Sequence, residues 1–264
     1  METNYIYLTL TCHFAVNILL DDCQILVRTS VLMNVLLNVS HLFNINTFGE
    51  KMDKNKTLTT FVLDESGSMN GVRVNTIKGI NSYIDKLKAD SDEIIVNFLT
   101  FNSTGLKTLY DFQPISEITP FSGEHYRPDA MTPLYDAIGS GIEMTDKYVS
   151  EFKSNINVIF AIMTDGFENC SREYTHDMIL RLIQARTEQK WVFTYLGANQ
   201  DSWDVGRSLG LSQDHVTDYN NDHPEYAFSR YAEKMIYKKE AMKRGRYSDA
   251  FFTEKDKKDI FRGS

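Results

Sequence analysis

The sequence predicts an α/β protein: a doubly wound, mostly parallel open sheet with helices on both faces and a helical extension at the C-terminus. Three observations carry that expectation. The strand-like runs are continuously apolar rather than alternating, the pattern of strands covered on both faces. Between them lie segments whose apolar residues recur at helical spacing. Strand-like and helix-like segments also take turns along the chain, as right-handed crossovers in a parallel sheet require.

Residues 58–63 (LTTFVL) form a short apolar run stopped by Asp64-Glu65-Ser66-Gly67-Ser68, a strand ending in a polar loop. Val72, Val74, Ile77, Ile80, Ile84 and Leu87 then recur at helical spacing up to Lys88. Residues 93–101 (EIIVNFLTF) predict a buried strand, and 106–112 a second strand after the turn Asn102-Ser103-Thr104-Gly105. Pro133 opens a helix carrying Leu134, Ala137, Ile138, Ile142 and Tyr148. Residues 158–163 (VIFAIM) are another apolar run, ending at Thr164-Asp165-Gly166. A helix over 175–189, a strand over 191–196 and a helix over 201–209 complete the alternation. Residues 224–246 mix Arg230, Lys234, Lys238, Lys239, Lys243 and Arg244 with Phe228, Met235 and Ile236. That pattern predicts a basic amphipathic helix packed at the domain edge with a solvated face; a partner-binding helix is the alternative. Residues 254–259 read as a mixed-charge tail.

The organisation expected from these shifts is an apolar N-terminal extension over 1–51, a folded domain over 52–211 and a helical, basic C-terminal extension over 212–264. Residues 5–20 and 23–43 are mostly apolar, but the first run is too short for a membrane helix and the second carries Arg28, Asn34, Asn38 and His41. The start Met1-Glu2 lacks the positive charge of a signal peptide, and no small-residue cleavage site follows. The expectation is therefore an extension ahead of a natural start at Met52, with a membrane or export element within 1–44 held open. A 42% apolar and 24% charged composition excludes wholesale disorder and a polytopic membrane protein. A net charge of −8 argues against nucleic-acid binding driven by overall charge. Cys12, Cys23 and Cys170 are odd in number and far apart, which points away from disulfides and zinc towards a reducing, cytoplasmic compartment.

The chemistry gathers at the ends of the apolar runs. Asp64, Ser66 and Ser68 alternate along an extended loop, so one carboxylate and two hydroxyls face the same way. Hard oxygen donors of this kind suit Mg²⁺, or Mn²⁺ as a substitute. A Walker loop would need a lysine near Ser68, an EF-hand a glycine where Met69 stands, and an aspartyl-phosphatase loop a second aspartate where Ser66 stands. What remains for the loop alone is that Ser66 or Ser68 caps the next helix. Thr132 just before Pro133, and Asp165 after an apolar strand, each have a bland reading as an N-cap and a turn.

Together and in this order, Asp64, Ser66, Ser68, Thr132 and Asp165 resemble the metal-ion-dependent adhesion site of the von Willebrand factor A domain family. The resemblance covers roughly residues 56–211, and Thr-Pro-Leu-Tyr-Asp-Ala (132–137) is similar to many bacterial members, suggesting a bacterial or phage type. One departure stands out: Asp129-Ala130-Met131 precede Thr132 where many members have glycines. The resemblance implies a Rossmann-like fold with Mg²⁺ at the top of the sheet. Ser66 and Ser68 would bind the ion directly, and Thr132, Asp64 and Asp165 directly or through water. An open position would accept an Asp or Glu carboxylate from a protein partner. Glu65, Asp129, Asp136 and Glu168 would modulate the partner's approach, or would be solvated loop charges.

The expected function is thus a non-enzymatic, Mg²⁺-dependent protein-binding module with no nucleic-acid partner. No serine or cysteine is paired with a histidine by a recognisable motif; His125, His176 and His215 read as structural or solvated. Cys170 reads as a buried small hydrophobe rather than a reactive thiol. The glycosylation patterns at Asn102 and Asn169 would matter only on export. Two alternatives remain. A metal-dependent hydrolase or phosphotransfer component would use His125 or Glu168 as base. A membrane-tethered adhesin would rest on the N-terminal apolar runs.

Overall fold

The structure, a computed structural model, describes residues 56–90, 93–152, 156–198 and 201–262. The extension expected over 1–51, with Cys12 and Cys23, lies outside the described residues. The strands are β1 (Thr57–Asp64), β2 (Ile94–Asn102), β3 (Gly105–Pro114), β4 (Asn157–Thr164), β5 (Val192–Gly197) and β6 (Val216–Asp218). The helices are α1 (Arg73–Asp90), α2 (Leu134–Phe152), α3 (His176–Glu188), α4 (Ser202–Ser208), α5 (Pro224–Lys243) and α6 (Glu254–Arg262).

The six strands form one sheet in the order β3-β2-β1-β4-β5-β6. Every neighbouring pair is parallel except β2 and β3, which a tight turn at Asn102–Gly105 joins as a hairpin. This is the expected doubly wound α/β sheet. The chain winds outward from β1 to β3 on one side and from β4 to β6 on the other, so β1 and β4 meet where the order reverses. In an open α/β sheet that switch point leaves a crevice beyond the carboxyl ends of the strands.

Both faces of the sheet are covered, which is why its strands read as unbroken apolar runs. Phe61 and Leu63 of β1 face Ile80, Tyr83 and Ile84 of α1 and Phe228, Tyr231 and Met235 of α5. Leu58 and Val62 face Leu134, Ile138 and Ile142 of α2 and Ile179 and Ile183 of α3. Each such side chain contributes roughly 1.5–3 kcal/mol by leaving water. Phe61 stacks on Phe98 at 4.8 Å and on Phe228 at 5.3 Å. The approach of α5 to α1 requires Gly79, because a Cβ there would lie 2.5 Å from the Phe228 ring. Two of the three buried threonine hydroxyls of β1 are paired: Thr59 with Tyr83 at 3.0 Å, and Thr60 with Thr145 at 2.8 Å.

The C-terminal segment differs from the expectation in two ways. The sheet runs past residue 211, since β6 pairs with β5 through Val216 and Asp218. Three residues are too few to leave a sequence pattern. Helix α5 does not sit at an edge; it is part of the helical layer over the sheet, with Phe228 and Tyr231 fully buried. Lys238 and Lys239, which suggested a solvated basic face, are buried as well. The Lys238 ammonium donates to the carbonyls of Tyr247, at 2.8 Å, and of Asp249, and Lys239 pairs with Asp90. Their long apolar stems cross the core and only the heads need polar partners. The mixed-charge residues 254–262 form α6, a helix in the segment expected to be helical. Thr253 and Asp256 cap it reciprocally, Thr253 N donating to Asp256 Oδ2 at 2.8 Å and Asp256 N to Thr253 Oγ1 at 3.3 Å, and Ile260 is buried beneath it.

Candidate metal centre

The last residue of β1 is Asp64, fully buried, and β4 ends on Thr164, so two neighbouring strands deliver their termini to the crevice. The Asp64 carboxylate is held at both oxygens. Ser66 N donates to Oδ1 at 2.7 Å, and Thr164 Oγ1 donates to Oδ2 at 2.6 Å. The phenol of Tyr126 donates to the Asp64 carbonyl at 2.9 Å. After Asp64 the chain turns through Ser66 into a short 3-10 turn over Gly67–Val72. There Ser66 Oγ and Ser68 Oγ lie 3.0 Å apart, and Ser68 Oγ donates to Asp165 Oδ1 at 2.5 Å.

Thr132 arrives from the loop ahead of α2. Asn169, beyond β4, clamps it: Thr132 N donates to Asn169 Oδ1 at 2.9 Å, and Asn169 N donates to the Thr132 carbonyl at 3.2 Å. Gly166 marks the centre of the gathering. A Cβ added there would meet Thr132 Oγ1 at 3.2 Å, Asp64 Oδ2 at 3.8 Å and Ser68 Oγ at 3.9 Å. The five residues singled out in the sequence, Asp64, Ser66, Ser68, Thr132 and Asp165, therefore lie together around one point at the switch of the sheet.

Burial governs the electrostatics. The Asp64 carboxyl is pushed up to about 6, chiefly by loss of solvent, while Thr164 and Ser66 pull it down and the Asp165 charge adds to the rise. A buried carboxylate beside a second one favours a proton or a cation. Two carboxylates and three hydroxyls form a hard, all-oxygen set of the kind Mg²⁺ and Mn²⁺ take. Among the described residues no three His, Cys, Asp or Glu side chains cluster as an alternative metal site. The donors present thus fit a hard divalent ion.

The acidic neighbours do other work than the sequence suggested. Glu65 is fully buried and accepts from Thr100 Oγ1 at 2.7 Å, Lys107 Nζ at 2.9 Å and Arg127 N at 2.5 Å. Asp136 accepts from the backbone N–H groups of Arg172, Glu173 and Tyr174 at 2.8, 2.9 and 2.9 Å. Glu168 accepts from Tyr135 N, Cys170 N, Ser171 N and Ser171 Oγ at 2.7–3.0 Å. These three fix loops, whereas Asp129 stays exposed and caps Ala130 N at 2.7 Å. Cys170 is half-buried, and burial with the charges of Glu168 and Asp136 pushes its thiol up, away from the reactive thiolate. Asn102 is buried, its side chain accepting from Thr104 N at 2.9 Å and Thr104 Oγ1 at 2.6 Å.

The departure from glycine before Thr132 has a visible consequence. Ala130 adopts φ of 66°, in the left-handed region, with its carbonyl accepting from Gly67 N at 3.1 Å. A non-glycine residue there costs about 1–2 kcal/mol, partly offset by the lower chain entropy of alanine over glycine. Ala130→Gly is expected to raise stability by up to about 1 kcal/mol, read as a higher thermal midpoint; a lower midpoint would show that the loop gains more from the methyl group than from relief of strain.

Sequence reasoning missed Thr164, Asn169 and Asn221, each of which bonds to one of the five residues. Thr164 and Asn169 flank Asp165 and were within reach of a local reading, but Asn221, whose Nδ2 donates to Asp165 Oδ2 at 3.1 Å, comes from beyond β6.

No family model matches the chain, and no curated protein matches it in sequence. Solved structures do resemble it. The pilus adhesin SpaC from Lactobacillus rhamnosus GG, in its open conformation, matches with a TM-score of 0.54 at 12% identity, over 69% of this chain and 30% of that one. A von Willebrand factor type A protein from Catenulispora acidiphila matches with a TM-score of 0.49 at 14% identity, over 70% and 42%. The manganese-loaded TRAP protein of Plasmodium vivax matches with a TM-score of 0.46 at 12% identity, over 67% and 74%. The chain spans less than half the length of the first two. At these identities the likeness is one of fold alone, and the match to the pilus adhesin carries it.

Proposed function

We propose that this domain is a protein-binding module that captures its partner through a divalent cation, Mg²⁺ or in its place Mn²⁺, held by Asp64, Ser66, Ser68, Thr132 and Asp165. The observation that carries this reading is the convergence of Asp64, Ser68 and Thr132 oxygens on one point beside Gly166, with Ser66 and Asp165 bonded to that group. The bound ion would supply an electrophilic centre for an Asp or Glu carboxylate of the partner. The chain's own part is to hold two charges and three hydroxyls so that the ion keeps a position facing outward.

Two exposed apolar side chains support a protein as the partner. Phe167, two residues past Asp165, is 59% exposed, and Met131, next to Thr132, is 52% exposed. Large apolar groups at the rim of a charged centre are what a protein interface buries. The hydrolase alternative lacks such support. Glu168, one candidate base, already accepts four hydrogen bonds from its own loops. His125, the other, lines a depression with Lys107, Tyr110 and Phe121 that includes none of the five site residues. Among the described residues no helix is long and apolar enough to cross a membrane. We keep the cytoplasm as the proposed compartment and a bacterial or phage type as the proposed origin.

Titration calorimetry tests the reading directly. Mg²⁺ and Mn²⁺ should each bind one site per chain, and Asp165→Ala should abolish binding while the protein stays folded, because Asp165 lies at the rim. Partner capture should then appear with Mg²⁺ and vanish with EDTA. Absence of uptake of either ion, or capture indifferent to chelation, overturns the reading.

A further inference from the structure

We propose that Asn221 is an outer member of the metal centre, fixing Asp165 with its amide N–H and taking a hydrogen bond from the ion's hydration shell with its amide oxygen; the inference rests on the metal-binding reading above. Asn221 lies in the loop between β6 and α5, ten residues past the end expected for the domain from the sequence. Its Nδ2 donates to Asp165 Oδ2 at 3.1 Å, the oxygen that Ser68 leaves free. Its Oδ1 is buried and has no hydrogen-bond partner.

The orientation of that amide is set by chemistry. Reversing it would place Oδ1 against Asp165 Oδ2, two acceptors facing each other, so the oxygen must point away from the carboxylate. A buried amide oxygen without a donor costs roughly 1–3 kcal/mol, a cost that a donor arriving with a ligand would remove. Water polarised by a divalent ion is a strong donor of that kind.

The loop is built to hold Asn221 in place. Tyr219 N donates to the Gly197 carbonyl at 2.8 Å, and the buried Tyr219 phenol reaches Met69 Sδ, in the turn that carries Ser68, at 3.9 Å. Asn75 of α1 donates to the Asp222 carbonyl at 3.3 Å, and Asp222 N donates to Asn220 Oδ1 at 3.0 Å. Partners placed behind metal ligands orient them and commonly tune affinity by one to two orders of magnitude.

Two variants separate a metal role from a merely structural one. Asn221→Leu keeps the volume and loses both bonds. It is expected to weaken Mg²⁺ and Mn²⁺ binding in calorimetry by about 10–100-fold, with the melting point of the chelated protein within a few degrees of the original. Asn221→Asp keeps an acceptor but sets a third negative charge beside Asp165. It should melt lower than the original in EDTA and gain more than the original when Mg²⁺ is added. Unchanged Mg²⁺ affinity in Asn221→Leu overturns the Asn221 assignment alone. So does an Asn221→Asp protein whose gain on Mg²⁺ addition is no larger than the original's, and this decides the matter if the leucine variant fails to fold. An original chain that binds neither Mg²⁺ nor Mn²⁺ overturns the assignment together with the metal-binding reading.

Discussion

In EDTA at pH 7.5, Asp64→Asn is expected to melt roughly 5–10 °C above the unsubstituted protein and, unlike it, to gain nothing when Mg²⁺ is added. The gain in chelator follows from burial. The Asp64 carboxyl titrates at about 6 in the folded chain against an ordinary 3.8, mainly because it is withdrawn from solvent. A folded-state value above the unfolded one means the folded protein holds the proton more tightly. The carboxyl then contributes its full share of stability below about 3.8 and loses it as pH rises through 6. The loss at pH 7.5 is on the order of 3 kcal/mol, at 1.36 kcal/mol for each unit. Asparagine is uncharged and nearly isosteric. Its oxygen can keep the bond from Ser66 N, and its NH₂ can donate to Thr164 Oγ1, whose own proton can turn to the Gly166 carbonyl 3.1 Å away.

The pH profile makes the attribution specific. In chelator the unsubstituted protein should lose stability between about pH 4 and 6 and then level off, with Asp64→Asn lacking that slope. Excess Mg²⁺ should restore the loss in the unsubstituted protein above pH 6 and have little effect near pH 4, where the proton occupies the carboxylate. A variant that melts lower than the original in EDTA at pH 7.5 would show that the hydrogen bonds of Asp64 to Ser66 and Thr164 outweigh its desolvation.

The sheet was legible because strands buried on both faces must be apolar throughout, so 58–63 and 158–163 stand out. The five-residue set did not follow from that pattern: Asp64 and Asp165 end apolar runs, but Thr132 ends none, and the set was singled out by its resemblance to a known order of residues. Whatever depended on a side chain reaching across the fold was not legible. Glu65 sits among the site residues and reads as another loop acid; only the structure turns it inward to Thr100 and Lys107. Lys238 and Lys239 read as solvent-facing because lysine usually is, yet their stems cross α5's buried face to reach the Tyr247 carbonyl and Asp90. Asn221 carries no local signal, since its meaning lies entirely in the distance to Asp165. Strand β6 is too short for periodicity to register.

Glu65→Ala should destabilise the protein by roughly 2–4 kcal/mol, since it takes the acceptor from three donors at about 1–3 kcal/mol for each one left buried and unpaired. Three donors converge on the Glu65 carboxylate, and removing it has unequal consequences for them. Lys107, with 42% of its side chain exposed, can turn to water. Thr100 is fully buried and would lose a charge-assisted acceptor without solvent to replace it, whereas Arg127, an exposed residue, would lose the acceptor that holds its N–H in place. The effect extends to the metal centre through the backbone. Arg127 starts the stretch that delivers Thr132, and the same stretch is pinned by Asp129 N to the Glu65 carbonyl at 3.0 Å and by Ser103 N to the Met131 carbonyl at 2.9 Å. Loosening its first attachment should weaken Mg²⁺ binding as well as stability, although Glu65 itself touches none of the five metal-centre side chains. Lys107→Met leaves the fully buried Glu65 carboxylate with its neutral donors Thr100 and Arg127 N but without its cation, and should cost about 3–5 kcal/mol. It leaves the Thr132 stretch pinned, so its Mg²⁺ affinity should stay close to the original's while that of Glu65→Ala falls. Chemical denaturation and Mg²⁺ titration of both variants test this; equal Mg²⁺ affinity in the two would mean that Glu65 does not pin the Thr132 loop.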